Sequence, residues 1–170
     1  MNEVDQGAFR RAAGQFASGI VVVTTATGHA MTVSAFASVS LDPPLVLFCA
    51  EKIARFHDAV LQASSWAVSI LAEDDEKTAR WLATGAPVLD DALAYLECRT
   101  AAVHDGGDHS IIVGRVTGVG GPRDPAGRGN PTGPWDSADP DWPRNLPWSG
   151  PLVHYSGAYR RLEPLDPADP

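Results

Sequence analysis

The stretch that decides the fold is AMTVSAFASVS, residues 30–40. Apolar residues occupy its odd positions from 31 to 39, and hydroxyl side chains occupy all but one of its even positions from 32 to 40. Because successive side chains of a strand point to opposite faces, this period of two predicts one β-strand with an apolar face and a hydroxyl-rich face. Asp42-Pro43-Pro44 is expected to end the strand, since proline has no N–H to donate to a ladder. The expected hydroxyl face comprises Thr32, Ser34, Ser38 and Ser40.

Further strands are predicted on both sides of this one. Their apolar or alternating patterns place them over residues 20–25, 45–50, 66–71, 93–104, 109–119 and 152–162. Short helices are predicted over 6–18, over 52–63 and from 73 onward. In the second helix the expected inward residues are Ile53, Phe56, Val60 and Leu61. Because helices and strands do not alternate, the pattern favours a mostly antiparallel β-barrel with short flanking helices.

Composition limits the class of protein. The chain has 170 residues, 44% hydrophobic and 20% charged, which predicts one globular domain over residues 1–170. A net charge of −8 argues against nucleic-acid and anionic-membrane partners, which need a positive surface. The apolar runs are too short to cross a bilayer, and the N-terminal stretch is acidic where a signal peptide would be basic. Cys49 and Cys98 lie far apart in apolar stretches, which indicates reduced thiols in a cytoplasmic protein.

A long segment between the last two predicted strands has an unusual composition. Gly120–Gly150 holds seven of the 14 prolines and three of the five tryptophans. Proline and glycine at this density exclude a helix or a central strand, whereas a plain spacer would be polar throughout. The tryptophans favour a compact functional loop, either a lid or an arm onto a second subunit. A disordered insertion is the alternative.

Common catalytic motifs are missing from the sequence. It contains no Walker loop and no GxGxxG, HExxH, CxxC or GxSxG pattern. Nucleotide hydrolysis, zinc proteolysis and α/β-hydrolase chemistry by their usual motifs are therefore unsupported.

Two histidines flank the predicted turn in HDGGDH, residues 104–109. If the turn has four residues, His104 and His109 face each other across the hairpin, and too few ligands converge for a metal site. A tight turn capped by histidines is therefore the favoured interpretation. A third is that one histidine is a hydrogen-bond donor at the mouth of a pocket.

Two cations follow the strand over 45–50. Lys52 and Arg55 would lie on the first turn of the next helix, where free N–H groups and the helix dipole also favour an anion. A solvated charged face is the alternative for these two residues, and exposure to solvent is the alternative for each serine of the hydroxyl face. Taken together, the hydroxyl strand and the cationic helix start suggest a phosphorylated planar ligand.

Six segments, in this order, resemble the flavin reductase-like family, the small components of two-component flavin monooxygenases. They are FRRAAGQFASGIVVVTT, AMTVSAFASVSLDPPLVLFCA, WAVSIL, PVLDDALAYLECR, GGDHSIIVGRV and PLVHYSGAYRRL. The resemblance implies an FMN-binding split β-barrel of antiparallel, Greek-key-like strands, usually a homodimer. It also implies hydride transfer from NADH or NADPH to FMN or FAD, with reduced flavin passing to an oxygenase. The chemistry would then belong to the cofactor, and the protein would supply position and electrostatics.

The resemblance also implies roles for individual residues. Thr32, Val33, Ser34 and Ala35 would lie along the isoalloxazine and ribityl chain, with Ser38 and Ser40 near the ribityl and phosphate groups. The phosphate would be wrapped by Ala50, Glu51 and Lys52, with Arg55 close by. The nicotinamide would lie near His109, and the flavin near Tyr159 and Arg160.

The sequence departs from the family pattern at three places. Ala30 replaces a frequent glycine, Lys52 and Arg55 replace serine or threonine, and Gly120–Gly150 is unusually long. The phosphate contacts, and with them the choice between FMN and FAD, therefore stay open. The main alternative function is a split barrel that binds flavin without reductase turnover, as a store, sensor or electron-transfer module. A purely structural barrel is a third.

Overall fold

The computed structural model describes residues 4–75, 92–120 and 150–162. Its two α-helices there are α1 (Gln6–Ala13) and α2 (Arg55–Gln62), and a short 3-10 turn covers Glu73–Asp75. The strands there are β1 (Ser18–Gly19), β2 (Val21–Thr25), β3 (Ala30–Val33), β4 (Phe36–Leu41), β5 (Pro44–Glu51), β6 (Trp66–Ile70), β7 (Ala94–Gly106), β8 (His109–Gly120), β9 (Val153–Tyr155) and β10 (Ala158–Arg160).

The strands form one large and one small sheet. The large sheet has the order β3-β2-β6-β7-β8-β5-β4, the small one has the order β1-β9-β10, and every pairing is antiparallel. The two edge strands of the large sheet, β3 and β4, follow each other in the chain. The N–H of Cys49 in β5 donates to the carbonyl of Ala35, which lies between them, at 3.1 Å. The large sheet therefore curls back on itself, as a barrel requires, and the expected mostly β, antiparallel fold is confirmed.

Aromatic side chains lie at the centre of the barrel core. The ring of Phe48 lies edge-on to Trp66, with 5.0 Å between centroids, and Phe56 of α2 approaches Phe48 at 6.4 Å. A second cluster packs between the two sheets and comprises Ile20, Val22, Leu71 and Leu152. Burial of these side chains supplies the main driving force for closing the barrel.

The predicted single strand over 30–40 is wrong. The chain leaves the ladder after Val33 and rejoins it at Phe36, which makes two strands from opposite edges of the sheet. In β4 a register shift follows Ser38, so that Ser38 pairs with Val46 whereas Ser40 pairs with Leu45.

This register shift also overturns the predicted hydroxyl face. Paired residues share a face of a sheet and neighbours along a strand do not, so Ser38 and Ser40 lie on opposite faces. The predicted apolar face, formed by the odd positions from 31 to 39, is also wrong. Phe36, an even position, packs against the core, while Val39 is half exposed. The prediction assumed strict alternation along the strand. One extra residue in an edge strand moves every later side chain to the other face.

Three other boundaries differ from the predictions. The segment 152–162 forms a hairpin of two short strands, turning at Ser156 and Gly157, both with positive φ. The second helix begins at Arg55, so Ile53 precedes it and is 87% exposed, and Leu61 is also exposed. The first helix ends at Ala13 and buries no residue.

The β7–β8 hairpin is confirmed but its turn is shorter than predicted. Gly106 pairs with His109, so the turn consists of Gly107 and Asp108, and Gly107 has a φ of +81°. His104 pairs with Ile111 instead of standing opposite His109. The facing histidines assumed for HDGGDH are therefore wrong.

Some predictions lie outside the described residues. The helix expected from 73 onward is described only as the 3-10 turn Glu73–Asp75, and nearly all of the Gly120–Gly150 segment falls in the gap. Within the described ranges, no helix has the length and apolar character needed to cross a bilayer.

Candidate active site

The end of β5 and the start of β8 bring four predicted site residues together. Glu51 pairs with His109 and Ala50 with Ser110 in the antiparallel ladder. The N–H of Lys52 continues the pattern by donating to the carbonyl of Asp108 at 3.0 Å. Ala50, Glu51 and Lys52 are thus neighbours of His109.

Lys52 differs from its prediction, because it lies in the turn before α2. Its ammonium donates to the carboxylate of Asp105 and to the carbonyl of Gly107, the latter at 2.7 Å. The hydrogen bond from Lys52 lowers the pKa of the Asp105 carboxyl below its usual value, assisted by a backbone hydrogen bond with Gly107. Lys52 is therefore engaged by the hairpin tip.

His109 presents a half-exposed imidazole held on one side. Its Nδ1 lies 2.7 Å from Oδ1 of Asp108, and this hydrogen bond lowers the pKa of the Asp108 carboxyl. A carboxylate only accepts, so Nδ1 carries the proton. Nε2 then has a free lone pair when the ring is neutral, and it has no partner among the described residues.

Arg55 is the first residue of α2, and its side chain is exposed. It makes no hydrogen bond or ion pair with another residue of the described ranges. The cap residue Ala54 has no side-chain hydrogen bond to the helix, which leaves the first-turn N–H groups beside Arg55 without a side-chain cap. A cation and a helix N-terminus therefore coincide as predicted, but with Arg55 alone.

The predicted flavin segment, residues 32–35, spans the join between β3 and β4. Ser34 and Ala35 are exposed and lie beside Cys49, next to Ala50. Val33 is 4% exposed and its side chain belongs to the barrel core, so only its backbone can face a ligand. Thr32 points to the opposite face from Val33.

The remaining predicted residues lie further away. Ser38 and Ser40 pair with Val46 and Leu45 of β5, which is roughly 15 to 20 Å along the strand from Glu51 at the usual rise per residue. Tyr159 packs on the second cluster, with its ring 6.1 Å from that of His154. Arg160 is exposed, and its guanidinium donates to the carbonyl of Tyr159 at 3.1 Å.

A buried polar pair behind His109 was not predicted. Nε2 of His57 in α2 lies 2.9 Å from the hydroxyl of Ser110, and His57 is 9% and Ser110 6% exposed. The pair ties the helix to the strand that carries His109. A buried histidine in a short helix is no signal by itself, so only the fold could reveal this contact.

The available groups fit a flavin nucleotide. The hydroxyl of Ser34 has no partner in the described part of the chain and could bind a polyol. Arg55 has no polar partner in the described ranges and lies at a helix N-terminus that no side chain caps, which suits a phosphate. In the described ranges no three His, Cys, Asp or Glu side chains are grouped to hold a metal ion.

Comparison with known proteins agrees with this fit. The family described as "Flavin reductase like domain" matches residues 13–163. The FMN reductase (NADH) SmoA of Agrobacterium fabrum is 44% identical over 126 residues, which cover 64% of this chain and 72% of that protein. An NADH-dependent flavin reductase of a Rhodococcus species is 34% identical, over 95% of this chain and 89% of its own length.

A solved structure supports the same assignment. The Streptomyces globisporus C-1027 NADH:FAD oxidoreductase SgcE6, in complex with NAD and FAD fragments, superposes with a TM-score of 0.75 and 30% identity, covering 99% of this chain and all of the other. The resemblance found in the sequence, the split-barrel fold and the flavin reductase activity expected from it are confirmed by these matches. The chain belongs to the flavin reductase-like family.

Proposed function

We propose that this flavin reductase binds flavin along residues 32–35 and 50–55 and binds the nicotinamide of NADH beside His109. The observation that carries the proposal is the hydrogen bonding at the end of β5, where the N–H of Cys49 donates to the carbonyl of Ala35 and Glu51 pairs with His109. Both proposed flavin segments therefore lie close to the predicted nicotinamide residue. Tyr159 and Arg160 remain proposed flavin contacts by resemblance.

A flavin held by residues 32–35 and 50–55 would supply the redox chemistry, as the acceptor of a hydride from NADH. The chain contributes orientation. Asp108 fixes the proton of His109 on Nδ1, so Nε2 can accept a hydrogen bond from the carboxamide NH2 of the nicotinamide. Hydride transfer is steep in distance and angle, so a fixed imidazole raises the share of productive encounters. His109 abstracts no proton in this mechanism.

NADH is the donor we favour, because the relatives named above are NADH-dependent. The flavin specificity is proposed to include both FMN and FAD, since SmoA is named an FMN reductase and SgcE6 an NADH:FAD oxidoreductase. Reduced flavin would pass to a separate monooxygenase.

A homodimer is proposed from the outer face of the barrel. The side chains of β5 and β8 that point away from the core are half-buried and mostly apolar, and acidic, basic and histidine residues occur only at the ends of this row. The row, here called the outer β5–β8 face, consists of Leu45, Leu47, Cys49, Ile111 and Val113. Glu51 and His109 continue it, so a second copy seated here would lie beside the proposed site.

Residues 1–170 are proposed to form one domain in the cytoplasm, with a functional loop at 120–150. The family match over 13–163 supports a single domain. Both cysteines are free thiols, and burial raises the pKa of Cys98 to about 12, which keeps it inert. A cytoplasmic location is consistent with reduced thiols and with a nicotinamide co-substrate.

The proposal is tested by NADH and NADPH oxidation with FMN, FAD or riboflavin added in turn. We expect steady oxidation that depends on added flavin and is faster with NADH. Flavin binding without oxidation would overturn the reductase proposal in favour of a flavin store or sensor. No flavin binding would refute both.

His109→Ala tests the nicotinamide role in the same assay. The KM for NADH should rise about tenfold, the loss expected for one orienting hydrogen bond, while flavin affinity changes little. His104→Ala is the matched control, because His104 lies on the other strand of the hairpin, β7, and pairs with Ile111 instead of with Glu51. Unchanged nicotinamide kinetics in His109→Ala would contradict this role.

A further inference from the structure

Lys52 joins the turn after β5 to the tip of the β7–β8 hairpin. Its Nζ donates to the carboxylate of Asp105 and to the carbonyl of Gly107. Its backbone N–H donates to the carbonyl of Asp108. One residue therefore bonds three residues of the same tip.

These bonds hold the segment that positions His109. His109 follows Asp108 directly and is hydrogen-bonded to the Asp108 carboxylate. Beyond the pairing of Glu51 with His109, β5 has ended, and the tip projects past the edge of its neighbour. A projecting, exposed hairpin end frays unless other groups hold it. Lys52, in the turn after β5, holds the tip through its bonds to Asp105 and Gly107.

The same contacts make Lys52 a poor phosphate ligand. Two of the three N–H donors of its ammonium are used, and the adjacent Asp105 carboxylate repels an anion. Arg55 differs in its donors, because it is exposed and has no polar partner in the described part of the chain. The two cations, equivalent in the sequence, therefore have different surroundings.

We infer that Lys52 is a positioning residue for the nicotinamide, acting through the hairpin tip and His109, and that Arg55 recognises the flavin phosphate. The inference rests on the proposed function and assigns the two cations of that site to different ligands.

Two single variants separate these roles. Lys52→Met should raise the KM for NADH about three- to tenfold with a smaller change in kcat, since a released tip costs orientation. Flavin fluorescence quenching gives the dissociation constants of this variant for FMN and for riboflavin. Their ratio should stay within about twofold of the wild-type ratio, because Arg55 and not Lys52 binds the phosphate. Arg55→Met should show the reverse, with the FMN constant raised about five- to tenfold relative to riboflavin, the loss expected for one charge-assisted contact.

Changes in the partner complete the test. Asp105→Asn removes the charge that Lys52 binds and weakens the Lys52–Asp105 contact, so it should reproduce the rise in the KM for NADH. The charge-swapped double variant K52D/D105K should recover part of the wild-type value, which a merely destabilised hairpin would not.

Two results would overturn the inference. One is a Lys52→Met variant whose FMN-to-riboflavin ratio rises as in Arg55→Met. The other is an Asp105→Asn variant with wild-type nicotinamide kinetics. A wild-type protein that binds neither flavin would refute the proposed function itself, so the two failures are distinguishable.

Discussion

At Gly114, β8 passes directly against the indole ring of Trp66. A Cβ at this position would overlap the ring and would stand 3.2 Å from Cβ of Cys98. The ring cannot yield easily, because its Nε1 donates to the hydroxyl of Thr100 at 3.0 Å and it packs in a T-shaped arrangement with the ring of Phe48. A glycine here is therefore a packing requirement of the core.

Gly114→Ala should lower the free energy of unfolding by about 1–3 kcal/mol, as overpacking of a filled core usually does. Gly19→Ala is the matched control, since no heavy atom lies within 4 Å of a Cβ at Gly19. Urea denaturation of both variants measures the difference. Equal stability of the two would mean that Trp66 is free to move.

Among single residues, the sequence predicted types better than partners. It identified the cations at 52 and 55 and the histidine at 109, because the residue type alone fixes the charge and ring chemistry of a side chain. It could not assign Asp105 to Lys52, because the two lie 53 positions apart and meet only once the hairpin is paired with β5.

At the scale of elements, the β7–β8 hairpin is the feature that places His109. Its tip carries two carboxylates, and each is paired with a cationic or titratable partner, Asp105 with Lys52 and Asp108 with His109. Both pairs lower the pKa of the carboxyl concerned. A carboxyl with a lowered folded pKa stabilises the tip above its unfolded pKa, and that contribution disappears as the pH falls through the folded pKa.

The Asp105 carboxyl should therefore titrate below the usual range of aspartate in the folded protein. Lys52→Met should move its midpoint upward toward that range, because the hydrogen bond from Lys52 is the largest cause of the shift. Carboxyl carbon NMR across the acid range measures the midpoints. The Asp108 midpoint, which depends on His109, serves as the internal control, and equal movement of both would contradict a specific bond.

Other elements were predicted in type but not in extent. Residues 30–40 have the alternation of a strand, and most of them are in strands, yet the chain switches sheet edges at Ser34 and Ala35. Nothing local marks that switch, since it is required by closure of the barrel. The same holds for residues 152–162, where Ser156-Gly157 turns the chain between two short strands.

For the whole molecule, the outer β5–β8 face is the surface that bears on assembly. Five apolar side chains in two adjacent strands form a continuous patch opposite the barrel core. Such a face is more typical of an interface between subunits than of a surface left in water.

Val113→Glu should convert the proposed dimer to a monomer, because it places a charge in the middle of this face. Sedimentation velocity measures the state, with the wild type expected at twice the chain mass. Val119→Glu, on the same strand beyond the part that pairs with β5, is the control and should stay dimeric. A monomeric wild type, or a dimeric Val113→Glu, would contradict the assignment of this face.

The sequence by itself determined the mostly β fold, the position of the β7–β8 hairpin, the family and the chemical types of the proposed site residues. These follow from local periodicity, from proline and glycine positions and from motifs, all of which are written in neighbouring residues. Only the tertiary structure decided which faces Ser38 and Ser40 occupy, that Val33 is buried, and that Lys52 bonds the hairpin tip. Those depend on strand register and barrel closure, and register is set by contacts between residues far apart in the chain.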